Sequence, residues 1–465
     1  MANIEAPVDA TYQALNPKSR RRSGPRRVRS EDYLLSDRRR EALGANALDV
    51  WRNMGLLGWA IRRTLDYCCL WDFQPRTDDA GLNAALKALM ARDCEPEQID
   101  VFSRMDWDDM RRVAEAQKIL AGDAFFVRQA DQTLQMIEGG FVRNPITPRT
   151  DERQWVSGAK LQSGRVVAWH FVEEDPRTGG QTGRVVRAGN VWQHCQFEAR
   201  PNQIRPQSPI VAALNEFRDV DETFDHMRAK IKLDQLFGMA FGRKSDADAF
   251  DEDDPAADET QEGSSRRVDF GDGPAVFDLD DGETVTPIQS ANPASQTQDF
   301  LRLCLQIALK CLDLPYNFFD EAYTNFFGSR AAWLLFERAC HARQKTQLRL
   351  HTQMTRWRLW KWVLPPEFGG TGELVLPGSM RIEDVRFKWT PRGIAWWKPQ
   401  EELDTALRSV AAGLRSMQDI CDEHGFGDYL DNVREIARER EEIAALGYLQ
   451  TWSNNAMCKL EAATP

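Results

Sequence analysis

The sequence predicts an α+β fold in which helices dominate and strands are short. Apolar residues recur at steps of three and four over residues 36–71, and the same helical period returns in 208–237 and 329–364. Between the first two stretches, apolar and polar residues alternate in several short segments, which is typical of half-buried strands. Because 465 residues are too many for one compact core, two to four structural regions are expected.

The chain begins with a basic arm, residues 1–32, followed by an α+β region over 33–207. The run from Lys18 to Arg29 is rich in arginine and has no apolar period, so we expect the arm to be disordered. It is either a solvated tail or an arm that binds nucleic acid. In the α+β region the patterns predict helices over 36–71 and 97–120, and strands at 124–128, 133–137, 165–172 and 191–197.

Two long helices are predicted in the middle of the chain. Ser208 is a natural N-cap and Pro209 suits a first helical turn, so a helix begins here and continues to about residue 237. Its length is roughly 45 Å at 1.5 Å per residue. A second helix is predicted over 294–312, with Phe300, Leu303, Ile307 and Cys311 on one face.

The segment between these helices differs from the rest of the chain. Residues 246–262 contain nine carboxylates and a single large apolar residue, so they are expected to be disordered. A β-hairpin is predicted after them, with the Asp281-Gly282 turn joining strands 275–279 and 283–288.

An aromatic-rich loop follows the second helix. Pro315 ends the helical pattern, and Ser329 is a plausible N-cap for the helix that follows. We expect the aromatic side chains between these two residues to be exposed. The next helix continues to residue 364 and ends at Pro365-Pro366, followed by strands at 373–376 and 385–389 and a mostly helical segment over 401–449 with a break near Gly425.

Composition excludes several classes of protein. There are 60 basic and 71 acidic residues, a net charge of −11, whereas an ordinary DNA-binding domain is strongly basic. The nine cysteines lack paired metal-ligand spacing, and their odd number favours reduced thiols in a cytoplasm. No apolar run approaches 18 residues, so no membrane span is expected. A phosphate-binding Gly-x-x-x-x-Gly-Lys-[Ser/Thr] loop is absent, so we expect neither ATP hydrolysis nor a cofactor.

One cluster of carboxylates leaves an enzymatic alternative open. Asp106, Asp108 and Asp109 are grouped as in metal-dependent nucleases, but Arg111 and Arg112 follow them on an amphipathic helix. Pairing on the helix surface is therefore the better interpretation. The acidic run lacks the glycine and glutamate of a calcium loop, and the histidines have no zinc-type spacing. The sequence predicts no catalytic residue and no metal ligand.

Three stretches together resemble the lambda-like family of tailed-phage portal proteins. The first is the loop itself, in which an apolar helix ends in Leu314-Pro315-Tyr316 and the chain resumes at Ser329-Arg330 before a long helix. In the second, a strand precedes Arg200-x-x-Gln-x-Arg205 and then Ser208-Pro209 at the head of a helix. The third extends from Lys398 to Tyr429 and is similar to the C-terminal helical region of those portals.

The resemblance implies a portal fold with an α/β wing, a long-helix stem, a small β-containing clip and a helical C-terminal crown. The acidic run over 246–262 is an insertion relative to that family. The implied regions are a basic arm (1–32), the wing (33–207), stem helices (208–239 and 294–312), a clip with the acidic insertion (240–293), a tunnel loop (313–328), the long helix with returning wing strands (329–395) and the crown (396–465).

The resemblance also implies a function without catalysis. Copies of the chain would form a ring, as a homododecamer, around a channel at one capsid vertex, through which double-stranded DNA is packaged and ejected without sequence specificity. The implied partners are the terminase large subunit, a head–tail adaptor and the major capsid protein. Localisation would be the virion, and the host cytoplasm during assembly. The tunnel-loop residues expected to face DNA are Tyr323, Thr324, Asn325, Phe326 and Phe327.

Two alternatives remain open at this point. Phe326 and Phe327 could instead fold into a local core, leaving Thr324 and Asn325 to face the channel. The chain could also be a capsid-associated nuclease using the Asp106 cluster, or a capsid or scaffold protein without a channel.

Overall fold

The structure, a computed structural model, describes residues 29–146, 154–236, 239–243, 283–287, 295–320, 326–378, 380–392 and 398–446. Its fold is α+β, which confirms the predicted class. The chain divides into two compact units, one formed by Met1–Arg218 together with Leu305–Pro465 and the other by Asp219–Cys304. Most of the predicted arm (1–28) and the acidic run (246–262) lie outside the described residues.

The first helices are α1 (Glu31–Leu34), α2 (Asp37–Asn53) and α3 (Gly55–Cys68). The single helix predicted over 36–71 is thus two helices, because the backbone at Met54 is extended, with φ −114° and ψ 104°. The apolar residues that recur at steps of three and four over 36–71 are nevertheless buried on both sides of this break. Strand β1 (Trp71–Pro75) and helix α4 (Ala80–Asp93) follow, and neither was predicted.

The predicted helix over 97–120 is also interrupted. Helix α5 spans Pro96–Ile99 and α6 spans Trp107–Ala121. Between them the buried Asp100 carboxylate accepts hydrogen bonds from the backbone N–H groups of Phe102, Arg104 and Met105, which replaces helical pairing with a turn. At the other end, Gly122 stops α6 with φ +97°. A Cβ at Gly122 would lie 2.6 Å from the carbonyl oxygen of Pro206, so this position requires glycine.

Two antiparallel sheets follow. The first has the order β3-β2-β8, with β2 at Asp123–Arg128, β3 at Leu134–Glu138 and β8 at Val191–Cys195. The second has the order β4-β5-β6-β7, with β4 at Trp155–Val156, β5 at Ala159–Gln162, β6 at Arg165–Glu174 and β7 at Gln181–Arg187. The four predicted strands correspond to β2, β3, β6 and β8. The unpredicted β7 is an exposed, mostly polar strand that pairs with β6.

Strand β2 is buried on both faces and belongs to two hydrophobic cores. Ala124 and Phe126 point into a core shared with helices α4 and α6 and with residues 350–362 of a later helix. Phe125 and Val127 point into the second core, where Phe125 contacts Trp169 of β6 edge-to-face at 4.9 Å. Because successive side chains of a strand point to opposite faces, β2 separates the two cores.

The predicted start at Ser208 agrees with the structure. Its Oγ accepts a hydrogen bond from Ile210 N at 3.2 Å and donates to Ile119 O at 2.6 Å. A 3₁₀ turn spans Pro209–Ala213, followed by α7 at Leu214–Leu236.

Strand β9 (Met239–Arg243) pairs antiparallel with β10 (Glu283–Pro287). The predicted hairpin placed 283–288 opposite 275–279 instead, and that first arm lies outside the described residues.

Helix α8 (Ser295–Leu309) presents a different face to the interior from the one that spacing suggested. Leu301, Leu305 and Leu309 are buried, whereas Phe300, Leu303 and Ile307 are each about half exposed. Two apolar faces lie on this helix, and periodicity alone does not say which one packs.

The long helix begins earlier than predicted. After α9 (Asn317–Asp320), α10 spans Phe326–Val363, so Ser329 is a buried residue inside the helix and does not cap it. The strand predicted at 373–376 is wrong. The N–H groups of Thr371, Gly372 and Leu374 donate to the carbonyls of Lys361, Leu364 and Trp362, so this segment pairs with the free carbonyls at the end of α10 and not with a sheet.

Strand β11 (Phe387–Pro391) is close to its predicted position and pairs antiparallel with β1. The C-terminal helices are α11 (Pro399–Ala411), α12 (Met417–His424) and α13 (Tyr429–Ala445). The predicted break at Gly425 is present, with φ +71°. No described helix combines the length and the apolarity that crossing a bilayer requires.

Candidate functional site

The entrance to the predicted tunnel loop is fixed by backbone geometry. A 3₁₀ turn (Lys310–Leu312) extends α8 and ends at Asp313, whose φ of +58° is left-handed. Leu314 is buried, and its N–H donates to Leu309 O at 3.2 Å. The Asp313 carboxylate accepts a hydrogen bond from Arg343 of α10 at 3.1 Å. The chain leaving α8 is therefore tied to the helix that follows the loop.

Aromatic rings form the base of the loop. Phe318 contacts Trp333 at 5.5 Å and Phe336 at 5.2 Å, and Tyr67 of α3 contacts the same two rings at 5.1 and 5.2 Å. Several of these pairs are edge-to-face, the arrangement that the ring quadrupoles favour. The expectation of exposed loop aromatics is therefore wrong for Phe318, which is half buried.

Helix α10 carries a row of buried polar residues, the polar ladder, at helical spacing: Arg343, Gln347, His351, Thr355 and Arg358. Each has a partner on another element. Thr355 Oγ1, for example, accepts from Trp389 Nε1 at 2.8 Å, and Arg358 donates to Gln98 O at 2.9 Å. Helix α10, which follows the loop, is therefore held along its length by hydrogen bonds to other elements.

His351, at the centre of the ladder, is held in its neutral form. Its Nδ1 accepts a hydrogen bond from Trp107 Nε1 at 3.2 Å, and its Nε2 lies 3.1 Å from the Arg111 guanidinium. The ring also stacks on Trp389 at 4.0 Å. Burial, and then the positive charge of Arg111, hold the pKa of His351 well below its usual value.

A second buried network joins the ladder to the sheet. Glu115 of α6 accepts hydrogen bonds from His194 at 2.8 Å and from Gln347 at 2.9 Å, and it forms an ion pair with Lys118 at 2.6 Å. Burial alone would raise the pKa of Glu115, but the Lys118 charge and the His194 hydrogen bond outweigh it and hold the pKa well below its usual range. For His194, burial lowers the pKa because it disfavours the charged ring, and the hydrogen bond and charge of Glu115 only partly offset this effect.

The Arg200-to-Arg205 motif has a structural role. Arg205 is completely buried, and Nε and Nη2 both donate to the Asp123 carboxylate at 2.7 Å. The same guanidinium donates to the carbonyls of Gly139 and Val142 at 2.7 Å and of Ser157 at 3.3 Å. One side chain therefore joins the start of β2, the turn after β3 and the β4–β5 turn; we call this contact set the arginine clamp.

Arg40 of α2 reinforces the same region. It donates to the carbonyls of Arg205 and Pro206 at 3.0 and 2.9 Å. Burial, and then the neighbouring Arg205 charge, lower the pKa of Arg40 to about 10. Arg200, the first residue of the motif, lies nearer the surface and pairs with Glu31 at 2.6 Å.

The carboxylates of the nuclease alternative stabilise a helix. Asp106 caps α6 by accepting from Asp109 N at 2.7 Å, and Asp108 pairs with Arg111 one turn along. Across the part of the chain that the structure describes, no three His, Cys, Asp or Glu side chains are placed to hold a metal ion.

The family of the chain follows from a comparison with models of known protein families. The family model described as phage portal protein, lambda family, matches residues 18–344, more than two thirds of the 465-residue chain. The chain belongs to the lambda family of phage portal proteins. This family is structural and not enzymatic, and its members are virion components.

This portal protein is also similar in fold to chains of solved gene transfer agent (GTA) structures. A chain in the virion of the native GTA particle has 10% identity and a TM-score of 0.47. A chain in the neck of the empty particle, computed with C6 symmetry, has 11% and 0.48, and one in the neck of the native particle, computed with C12 symmetry, has 12% and 0.45. Each comparison covers 81% of this chain and 92% of the other. A search of curated proteins found no match.

Not all of the predicted tunnel-loop residues of this portal protein are described. Tyr323, Thr324 and Asn325 lie outside the described residues, and Phe326 and Phe327 open α10 without described side chains. The residues that support the loop, above all Tyr67 on α3, were not predicted from the sequence. The spacing of Trp333 and Phe336 one turn apart at the start of the long helix was the available signal.

Proposed function

We propose that copies of this portal protein form a closed ring, a homododecamer, whose central channel passes double-stranded DNA into and out of the capsid. The observation that carries the proposal is the match to the lambda portal family over residues 18–344. A ring needs two different complementary surfaces on each copy, which long helices with exposed faces can supply. The net charge of −11 favours loose guidance of DNA over tight binding, because few lysines and arginines would meet phosphate.

We assign the regions of the chain as the resemblance implies, with wing (33–207), stem helices (208–239 and 294–312), clip (240–293) and crown (396–465). The ring sits at one capsid vertex beside the major capsid protein, after assembly in the host cytoplasm. The clip is the surface that meets the terminase large subunit during packaging and the head–tail adaptor afterwards.

Imaging of the purified full-length chain tests the proposed function. We expect rings with a central pore in negative-stain images, and a particle mass that is a whole multiple of the 53.1 kDa chain. Monomers or solid aggregates under all buffer conditions would contradict the channel. Magnesium-dependent cleavage of DNA by the same preparation, abolished by Asp108→Asn, would favour the nuclease alternative.

The loop formed by Tyr323, Thr324, Asn325, Phe326 and Phe327 is proposed to be the narrowest ring of the channel. What supports this is that aromatic contacts and the Asp313–Arg343 pair hold the entrance to the loop against the first half of α10. A loop braced in this way can project side chains without unfolding the helices on either side.

Replacing Asn325 by lysine tests the loop. Each copy then carries one more positive charge facing phosphate, so DNA movement should slow and depend strongly on salt. The log–log slope of DNA affinity against salt should steepen by roughly 0.9 for each phosphate that the new lysines neutralise. Packaging rate and ring yield should be measured together across a salt series, with the exposed Asn53→Lys as the control of equal charge. Poor ring yield together with normal packaging at low salt would show that Asn325 is a core residue.

A further inference from the structure

Helix α10 is strongly basic in a chain whose net charge is −11. Over Phe326–Val363 it carries eight lysines and arginines and a single carboxylate, that of Glu337. Four of the eight form ion pairs with carboxylates outside the helix: Arg330, Arg343, Arg358 and Lys361. No carboxylate among the described residues pairs with the other four, Arg338, Lys345, Arg349 and Arg356. The described part of the chain therefore leaves half of the positive charge of α10 uncompensated.

These four residues form a single row, the basic stripe, on the side of α10 roughly opposite the polar ladder. With about 100° of rotation per residue, they fall within a sector of about 40° and extend over about 27 Å of the helix. Three of them are exposed, and Arg356 is half-buried. Arg349 and Arg356 donate to the carbonyls of Cys195 at 3.1 Å and Ile382 at 2.9 Å, which positions these guanidinium groups but leaves their charge without a counterion.

The composition of the basic stripe favours DNA over a protein as its partner. Between Arg338 and Arg356 the other side chains in the same sector are those of Ala342 and Thr352, so the stripe contains no large apolar group. The exposed Leu348 lies about 80° around the helix from the centre of the stripe. Protein interfaces have apolar, charge-depleted centres, whereas DNA interfaces are polar and strongly positive. Duplex DNA carries one negative charge per 1.7 Å of its axis, so a length equal to the stripe carries roughly 16 charges.

We infer that the basic stripe of α10 is a DNA-binding surface separate from the tunnel loop, which contacts the phosphate backbone of duplex DNA. Its first residue, Arg338, lies about 18 Å along the helix from Phe326, where α10 begins. Contacts to phosphate position a duplex without reading its sequence. An acidic chain can still attract DNA in this way, because its uncompensated cations are concentrated on one helix face. The inference rests on the proposed function, which brings duplex DNA to the ring.

Neutralising part of the basic stripe tests the surface. The side chains of Arg338 and Lys345 make no hydrogen bond or ion pair with described residues, so Arg338→Gln/Lys345→Gln should fold and form rings as the wild type does. We expect these rings to bind a mixed-sequence duplex of about 30 base pairs about tenfold or more weakly at low salt. The log–log slope of affinity against salt should become shallower by roughly 0.9 for each phosphate contact that is lost. Fluorescence anisotropy of the labelled duplex over a salt series measures both quantities.

A matched control and a direct measurement locate the contact. Arg165→Gln/Arg408→Gln removes the same charge at exposed positions on β6 and α11, and should leave the affinity and the salt slope unchanged. In wild-type rings, bound duplex should protect Lys345 from an amine-acetylating reagent, and high salt should abolish that protection. The exposed Lys87 of α4 should react equally with and without DNA. Mass photometry on every variant measures the yield of rings.

The outcomes separate this surface from the proposed function. Wild-type DNA affinity in the stripe variant, or a Lys345 that stays reactive when DNA is bound, would overturn the DNA-binding surface and leave the ring standing. Loss of rings in the stripe variant, with unchanged DNA affinity in the rings that remain, would show that the stripe faces a second copy and would also overturn the inference. Absence of rings from the wild-type chain would overturn the proposed function and the inference with it.

Discussion

Replacement of Arg205 by leucine is expected to destabilise the first unit by about 3–5 kcal/mol, because it leaves the buried Asp123 charge without its main partner. The carbonyls of Gly139, Val142 and Ser157 lose their donor in the same step. A domain has only about 5–15 kcal/mol of stability in total, so we expect most of the variant to be insoluble or unable to assemble. Soluble yield and the first transition in urea unfolding measure the effect.

The same motif supplies a matched control for the arginine clamp. Arg200→Leu removes a partly exposed pair with Glu31, for which we expect a loss of less than about 1 kcal/mol. If the two variants were equally stable, another group would be compensating the Asp123 charge. Gln193, which donates to Asp123 at 3.0 Å, is the neighbour placed to do so.

Acid should destabilise the protein well above the pH at which carboxylates titrate. The pKa values of His194 and His351 are lower in the folded chain than the ordinary 6.5, since burial disfavours the charged rings. Above pH 6.5 both states carry neutral rings and nothing is lost. Below pH 6.5 the unfolded chain binds protons on these rings that the folded chain does not bind. The free energy of unfolding therefore falls by about 1.4 kcal/mol per pH unit for each histidine, until the pH reaches the pKa of that histidine in the folded chain.

Urea unfolding between pH 7 and 5 tests this expectation. His194→Gln should reduce the pH slope of the unfolding free energy by roughly half, because one of the two titrating groups is gone. His341→Gln, at an exposed position on α10, should leave the slope unchanged. A wild-type slope that appears only below about pH 4.5 would assign acid sensitivity to carboxylates such as Glu115, whose lowered pKa acts in that lower range.

Sequence patterns predicted the elements whose signals are local. Ser208-Pro209 starts a helix because both the cap and the fixed φ of proline act within a few residues. Helix α4 was missed although Leu82, Leu86 and Met90 recur every four residues behind the cap at Asp79. That signal was present in the sequence and was overlooked.

Other features depend on distant residues and could not be read from local patterns. The segment at 373–376 has the short apolar run of a strand, but the free carbonyls at the end of α10 are its partners. The pairing of β10 with β9 likewise crosses the acidic run and has no signal in the turn. Spacing around Asp281-Gly282 favoured the nearer strand because a short loop costs less entropy to close.

The residues of the candidate site likewise include some that the sequence predicted and others that depend on distant parts of the chain. Family resemblance named Tyr323, Thr324 and Asn325, and their role stays a prediction because the structure does not describe them. The supports of the loop were not predicted, since Phe318 and Tyr67, which both contact the ring of Phe336, are more than two hundred residues apart in the sequence. The motif of Arg200 and Arg205 was recognised as a family signature, but its physical reason is a buried charge pair whose acidic member lies on β2.

The length of α10 has a mechanical consequence. Its 38 residues span about 57 Å, with the loop at one end and Trp362, hydrogen-bonded to the buried Asp93, at the other. Because the polar ladder also fixes the helix between these two ends, α10 acts as a rigid strut and not as a hinge. A force on the loop end is therefore carried along the whole helix into the core that holds Asp93, about 57 Å away.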